Sequence, residues 1–313
     1  MAVTTDGSSS KSAGKRRRTR TVIDSNQLQE ESLKSYLSAS IDNYAVLTDY
    51  LAMEAYKGDT LSWIYGTMEI LAQHPKQALI LRSTRDICRL PGRAAISQEP
   101  LIDEIQTNGF SEYCRALLAA KRGDVSLQRQ LLDHGREATG HIARMLQDMP
   151  TLASGIELVE NTYSQSELKT LRRREEHTPQ MREKFVRNVM LLADELFKSH
   201  GGPIKPPRVP EVRNTFVFRY ALCGYISILM RIADGSARQA KPDRLRNDVI
   251  DVNLAAFATY FDGLLTADKR ANEIYRLASV SLREDFGMPT WWLRPLLWIA
   301  RRSSNIRSGL VNT

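Results

Sequence analysis

The sequence predicts an α/β fold in which a short parallel sheet lies between helices. Short apolar runs at residues 45–48, 78–81 and 263–266 have the length and composition of buried strands. The first and last of these runs are followed by helical apolar spacing, and strands that alternate with helices favour a parallel sheet. Residues 98–200 show helical spacing throughout and contain no strand-like run, so they are predicted to form a large all-helical insertion.

The chain divides where its composition changes. Residues 1–25 are rich in Ser, Thr, Lys and Arg and nearly free of large apolar side chains, which predicts a disordered tail. Glycines and prolines between 201 and 210 end the helical stretch. The predicted parts are the basic tail at 1–25, the first part of the α/β domain at 26–97, the helical insertion at 98–205, the second part of the domain at 206–285, and a Trp-rich tail at 286–313.

Each part of the α/β domain supplies its own elements. The first part is predicted to contain a polar helix at 26–43, the first strand, two helices and the second strand. In the second part, residues 212–233 are apolar on nearly all faces, which predicts a buried helix. A helix at 243–260, the third strand and a helix at 269–278 follow it.

Composition and charge exclude several classes of protein. The net charge is +8, of which residues 1–20 hold +5, so the rest of the chain is only weakly basic. The three cysteines form no CxxC pair, which excludes a zinc ribbon and favours a reducing, cytoplasmic location. We expect no secretory signal and no transmembrane segment, which would need about 20 apolar residues. The chain has neither a phosphate-binding glycine loop nor a nucleophile elbow.

Acidic residues stand at the ends of several predicted elements. Asp49 follows the first strand and Asp268 follows the third. Asp248 and Asp251 are three residues apart, so they share one face near the start of their helix, where the helix dipole stabilises anions. Glu54 follows Asp49 closely enough to project back toward the same strand end. Because functional groups gather at the carboxyl ends of parallel strands, these acids are expected to lie together.

Several carboxylates at one place point to a divalent cation. Unpaired buried charges destabilise a fold, and a cation removes their repulsion. Oxygen ligands favour Mg²⁺ or Mn²⁺, and two such ions suit phosphodiester hydrolysis. Lys57 and the tail residues Arg16, Arg17 and Arg18 are candidates for contacts with phosphates. Taken singly, each acid is better explained as a helix cap or first-turn charge; the set together predicts the metal site.

Three segments together resemble the PIN-like domain, a family of metal-dependent nucleases with a parallel sheet between two helical layers. Residues 46–50 resemble the opening strand of the family with its first catalytic Asp. Residues 251–256 resemble its Asp-bearing helix with a small-residue face, and residues 264–268 resemble its closing strand. The resemblance implies a metal-binding set of four acids: Asp49, Asp248, Asp251 and Asp268.

The resemblance also implies an activity, the Mg²⁺- or Mn²⁺-dependent cleavage of RNA rather than DNA. Two features depart from the family. Its second acid, often a Glu on a helix well after the first Asp, has no clear counterpart, because Asp86 stands in that region; Glu54 is the candidate replacement. The helical insertion is longer than a minimal domain needs, and it is a candidate for substrate choice, partner recruitment or autoinhibition.

Other functions remain open from the sequence. A non-catalytic module on the same fold would bind nucleic acid or a regulatory protein through the helical insertion or the C-terminal tail. An interfacial membrane effector would act through the apolar residues 291–299. A nuclease of this kind is also compatible with a toxin or defence effector, which would require a neutralising or activating partner. The sequence predicts no oligomeric state.

Overall fold

The computed structural model has an α/β architecture built on a four-stranded parallel sheet. The residues that it describes are 18–57, 60–94, 97–145, 149–199, 207–235 and 242–287. The strands are β1 (Thr19–Ile23), β2 (Asn43–Leu47), β3 (Ala78–Ile80) and β4 (Gly263–Leu265). They are ordered β3-β2-β1-β4 and all run parallel. The three strands predicted from the sequence, β2 to β4, are therefore confirmed.

β1, the strand between β2 and β4, is absent from the sequence-based prediction. The prediction of a disordered tail for residues 1–25 is wrong from Thr19 onward. Val22 and Ile23 are fully buried, so the strand belongs to the core. The misassignment has a physical reason: only two large apolar residues follow a run of basic ones, and their burial depends on neighbouring strands that come from elsewhere in the chain.

Helices surround the sheet in the described residues. Their bounds are α1 (Glu31–Ala39), α2 (Asp49–Tyr56), α3 (Leu61–Gln73), α4 (Thr84–Cys88), α5 (Glu104–Lys121), α6 (Val125–Met145), α7 (Met149–Asn161), α8 (Gln165–Arg173), α9 (Pro179–Ser199), α10 (Phe216–Ala233), α11 (Pro242–Ala258) and α12 (Lys269–Glu284). The predicted polar helix at 26–43 is thus too long, because β2 already begins at Asn43. The side-chain amide of Gln77 donates to the carbonyl groups of Leu37 and Asn43, which fastens the turn between α1 and β2.

An apolar cluster lies on each face of the sheet. Neighbouring residues of a strand point to opposite faces, and Val22 accordingly joins one cluster while Ile23 joins the other. The cluster around Val22 contains residues of α7 to α12, and the cluster around Ile23 contains residues of α1 to α3 together with α5 and α6. Because both faces carry a core, the open parts of the sheet are its strand ends.

The stretch predicted as an all-helical insertion forms α5 to α9 in its described part. These helices do not build a core of their own. Phe110 of α5 belongs to the cluster around Ile23, whereas Phe185 of α9 belongs to the cluster around Val22. The segment is therefore shared between the two cores of the α/β protein.

α10 is the central helix of the core around Val22. Among the described helices it is the one whose length and composition would allow it to cross a membrane, and 67% of it is buried inside the protein. It also carries Arg219 and Arg231. Its burial matches the prediction of a buried helix at 212–233. The predicted Trp-rich tail beyond Gly287, with residues 291–299, lies outside the described residues, and so do Arg16 and Arg17.

Candidate active site

Asp24, which the sequence-based prediction missed, lies directly after β1. Its side chain is 6% exposed. One carboxylate oxygen, Oδ2, accepts hydrogen bonds from Asn26 Nδ2 at 2.7 Å and from Thr266 Oγ1 at 2.6 Å. Burial raises the pKa of Asp24, and the nearby charge of Asp268 adds to the increase. The sequence offers only a short signal for it, because just two apolar β-branched residues, Val22 and Ile23, precede the acid.

Asp268 stands beside it, two residues after Thr266, as the N-cap of α12. Its Oδ1 accepts hydrogen bonds from the backbone N–H groups of Arg270 at 2.6 Å and Ala271 at 3.1 Å. Its own N–H donates to Thr266 Oγ1 at 2.9 Å, and that hydroxyl in turn donates to Asp24. The N-terminus of α12 stabilises the negative charge. Thr266 thus links the two acids.

Asp251 reaches the same place from α11, which packs against β1 and β4. Burial raises its pKa to about 8, with further contributions from Asp268, Asp24 and Asp248, while Arg270 opposes the increase. A carboxyl with this pKa keeps its proton at neutral pH unless a cation compensates the charge. Three acids from three elements therefore act on one another at the carboxyl ends of β1 and β4.

Asp248, a predicted metal ligand, is neutralised by arginines. Its carboxylate is bonded to Nε of Arg231 and lies 3.4 Å from Nε of Arg270. The side chains of Asp248 and Arg231 are 13% and 7% exposed, so this pair is shielded from solvent. Arg270 also donates to the carbonyl of Ser227 at 2.9 Å. Through these contacts Asp248 positions Arg270 near the acids. Coordination of a metal ion by Asp248 would break its ion pairs with the two arginines.

Asp49, the other predicted ligand at a strand end, has partners elsewhere. Its carboxylate accepts hydrogen bonds from the backbone N–H of Thr84 at 2.7 Å and from the hydroxyl of Thr84 at 2.8 Å. It thereby ties the start of α2 to the start of α4, next to the ends of β2 and β3. The sheet order explains the difference, because β1 lies next to β4 and β2 does not.

Glu54 of α2 projects toward the end of β1. Its Oε2 accepts hydrogen bonds from Ser25 Oγ at 2.9 Å and from Lys57 Nζ at 2.8 Å. Ser25 is the residue after Asp24, so Glu54 lies at the edge of the acid cluster. Lys57, a predicted phosphate contact, forms an ion pair with Glu54.

Arg18, another predicted phosphate contact, precedes β1 and is therefore at the opposite end of the sheet from the acids. Its guanidinium lies 5.8 Å from the centre of the Tyr44 ring. The strand direction thus separates Arg18 from Asp24, which follows the carboxyl end of the same strand.

The oxygen ligands at this end of the sheet suit a hard divalent cation, but their side chains do not yet surround one point. The acids, Thr266 and Asn26 offer oxygen atoms, which Mg²⁺ and Mn²⁺ prefer. No three His, Cys, Asp or Glu side chains within the described part of the chain are close enough together to hold one ion. The hydrogen bond from Thr266 occupies one oxygen of Asp24. Rotation of the acid side chains would accordingly have to accompany the binding of a cation.

No protein-family model, no curated protein and no solved structure matches the chain.

Proposed function

We propose that this protein is a Mg²⁺- or Mn²⁺-dependent phosphodiesterase of the PIN-like class that cuts nucleic acid. The observation that carries the proposal is the gathering of Asp24, Asp251 and Asp268 at the carboxyl ends of β1 and β4, with the pKa of Asp251 raised to about 8. Adjacent buried acids favour a cation in place of protons. The carboxyl end of a parallel sheet is also where α/β proteins bind ligands.

The resemblance to PIN-like nucleases rests on a different opening strand once β1 is known. Asp24, at the end of β1, takes the part of the first catalytic acid that the sequence pattern assigned to Asp49. Glu54 then follows the first acid by thirty residues and stands on a helix. That position suits the second acid of the family, which had no clear counterpart before. The choice of RNA over DNA is proposed from the resemblance alone.

Each residue of the acid cluster, and Glu54 beside it, would have its own role in the cleavage reaction. Asp24 and Asp268 would hold the cation, and Asp251 would give up its proton when the cation binds. Glu54, held by Ser25 and Lys57, would accept a proton from the attacking water. A bound divalent ion would lower the pKa of that water and stabilise the developing negative charge on the phosphate.

The proposal is tested by cleavage of labelled single-stranded RNA and DNA with Mn²⁺, with Mg²⁺ and with EDTA. Asp268→Asn is the first variant, because Asn caps a helix as well as Asp and the fold should survive. Asp24→Asn is the second. We expect both to lower cleavage by a factor of about 100 or more. Asp243→Asn is the control, since this exposed acid begins the same helix as Asp251 but lies outside the cluster.

Metal-dependent cleavage that disappears in Asp24→Asn and Asp268→Asn but not in Asp243→Asn would support the proposal. Cleavage that survives in both cluster variants would contradict the assignment of the site.

A non-catalytic binding module is the second candidate, and one observation favours it. The acids of the described residues have not converged on a cation site. Binding of RNA that is unchanged by EDTA, without cleavage under any condition, would favour this function. Cleavage that appears only after a cellular protein is added would instead indicate a partner-activated toxin or defence effector.

A further inference from the structure

A pocket of about 400 Å³ lies between the segment before α10, the end of α11 and the C-terminal half of α12. Its lining includes three arginines, Arg213, Arg219 and Arg283, together with Tyr275 and Ser279. None of the described residues that line it is acidic. We call it the arginine pocket, and its charge is the opposite of that of the acid cluster.

Arg219 is the arginine most firmly built into the pocket. It donates hydrogen bonds to the carbonyl of Thr259 at 2.6 Å and to that of Arg213 at 3.3 Å. Its guanidinium lies 3.6 Å from the centre of the Tyr260 ring. Burial lowers the pKa of Arg219. All these partners are neutral acceptors or a ring, so within the described residues no carboxylate balances the charge.

The other two arginines leave the pocket positive as well. Arg213 donates to the carbonyl of Phe286 at 2.9 Å, and Arg283 is exposed on α12. Neither forms an ion pair with a described residue. Tyr275, Ser279 and Arg283 are spaced four residues apart on α12, so they share one face of that helix.

The arginine pocket is separate from the acid cluster. Phe261, which also lines it, comes just before β4, whereas Asp268 follows the opposite end of that strand. Along α12, Ser279 is about 15 Å from the helix start at Lys269, at a rise of about 1.5 Å per residue. An anion in the pocket is therefore far from the carboxylates that would repel it.

We propose that the arginine pocket binds a nucleotide, with its phosphate on the arginines and its base against the Tyr275 ring. Arginine forks match the geometry of phosphate oxygens, and a volume of this size accommodates a small molecule. The same chemistry belongs to a free mononucleotide and to the 5′-phosphorylated end of a strand. This inference does not depend on the proposed nuclease activity.

The test measures binding to the full chain in EDTA, so that the acid cluster does not contribute through a metal. The probes are AMP, adenosine, inorganic phosphate, and a short RNA with either a 5′-phosphate or a 5′-hydroxyl. Arg283→Gln is the test variant because the exposed side chain can be changed without altering the core. Arg276→Gln is the matched control: it removes the same charge from α12, but Arg276 is paired with Glu273 outside the pocket. Thermal unfolding checks that both variants are folded.

We expect AMP to bind at least tenfold more tightly than adenosine. Arg283→Gln should lower the affinity for AMP by about tenfold, whereas Arg276→Gln should leave that affinity unchanged. Binding of the 5′-phosphorylated RNA without binding of AMP would support the pocket and identify a strand end as its ligand. Binding that does not depend on the phosphate, or that both variants weaken equally, would overturn the proposal, as would no binding of any probe.

Discussion

The acid cluster shifts the pKa of Asp251, and a measurement of stability against pH can detect that shift. Its pKa in the folded protein is about 8, against 3.8 for the ordinary carboxyl group. At a pH between these two pKa values, Asp251 is protonated in the folded state and ionised in the unfolded state. The free energy of unfolding therefore falls as the pH rises from about 4 to about 8, and the full contribution is present only below that window.

Asp251→Asn should remove this pH dependence. An amide cannot ionise, so the variant should match the wild type at low pH and exceed its stability by a few kcal/mol at about pH 8. Urea unfolding at several pH values, in EDTA, measures the difference. Asp243→Asn, on the same helix but exposed, is the control variant. An unchanged slope in Asp251→Asn would contradict the shifted acidity.

Asp49 is expected to matter for stability and not for cleavage. Its carboxylate accepts two hydrogen bonds from Thr84, and Asn offers a single oxygen in its place. Asp49→Asn should lower the free energy of unfolding by about 1 kcal/mol and leave metal-dependent cleavage within about twofold of the wild type. Denaturant unfolding and the cleavage assay check the two parts. Loss of cleavage with unchanged stability would contradict this expectation and support Asp49 as a metal ligand.

β1 is the element on which the site depends. It pairs with β2 on one side and β4 on the other, and it carries Asp24 at its carboxyl end. Its register places Ile23 opposite Leu265, and the N–H of Asp24 donates to the carbonyl of Leu265 at 3.0 Å. An element that holds one acid and aligns it with β4 affects folding and, under the proposed function, cleavage as well.

Ile23→Ala should destabilise the protein strongly if β1 is a core strand. The side chain is fully buried. Replacement of a buried isoleucine by alanine lowers the free energy of unfolding by about 2–5 kcal/mol. Ile41→Ala provides the matched control, because Ile41 is 74% exposed and its loss should change stability by less than about 0.5 kcal/mol. Chemical denaturation compares them. Equal small effects would fit a disordered N-terminal segment and not a central strand.

At the scale of the whole molecule, the acid cluster and the arginine pocket lie toward opposite ends of the sheet. The acids lie at the carboxyl ends of β1 and β4, and the arginine pocket lies near the amino end of β4. Apolar clusters cover both faces, so the strand ends are where polar groups can gather without disturbing the core. The parallel order β3-β2-β1-β4 brings Asp24 to Thr266, which is 242 residues later in the chain, and to Asp268, which is 244 residues later.

The sequence by itself determined the elements whose signal is local. Apolar runs and helical spacing predicted β2, β3, β4 and the buried helix α10, because strand and helix periods appear within a short window. The same local reasoning selected Asp251, Asp268 and Glu54, which the structure brings to one end of the sheet. It also selected Asp49 and Asp248, which fit the same pattern of acids at element ends.

Only the tertiary structure decided which acids meet. β1 owes its place to burial between strands from distant parts of the chain, and a window of sequence that is mostly basic and polar contains little of that signal. The order of the strands put Asp24, and not Asp49, beside Asp268. Arg231 and Arg270 surround Asp248 only because α10, α11 and α12 pack together. Pairing over such separations depends on the energy of the assembled core, which local composition does not encode.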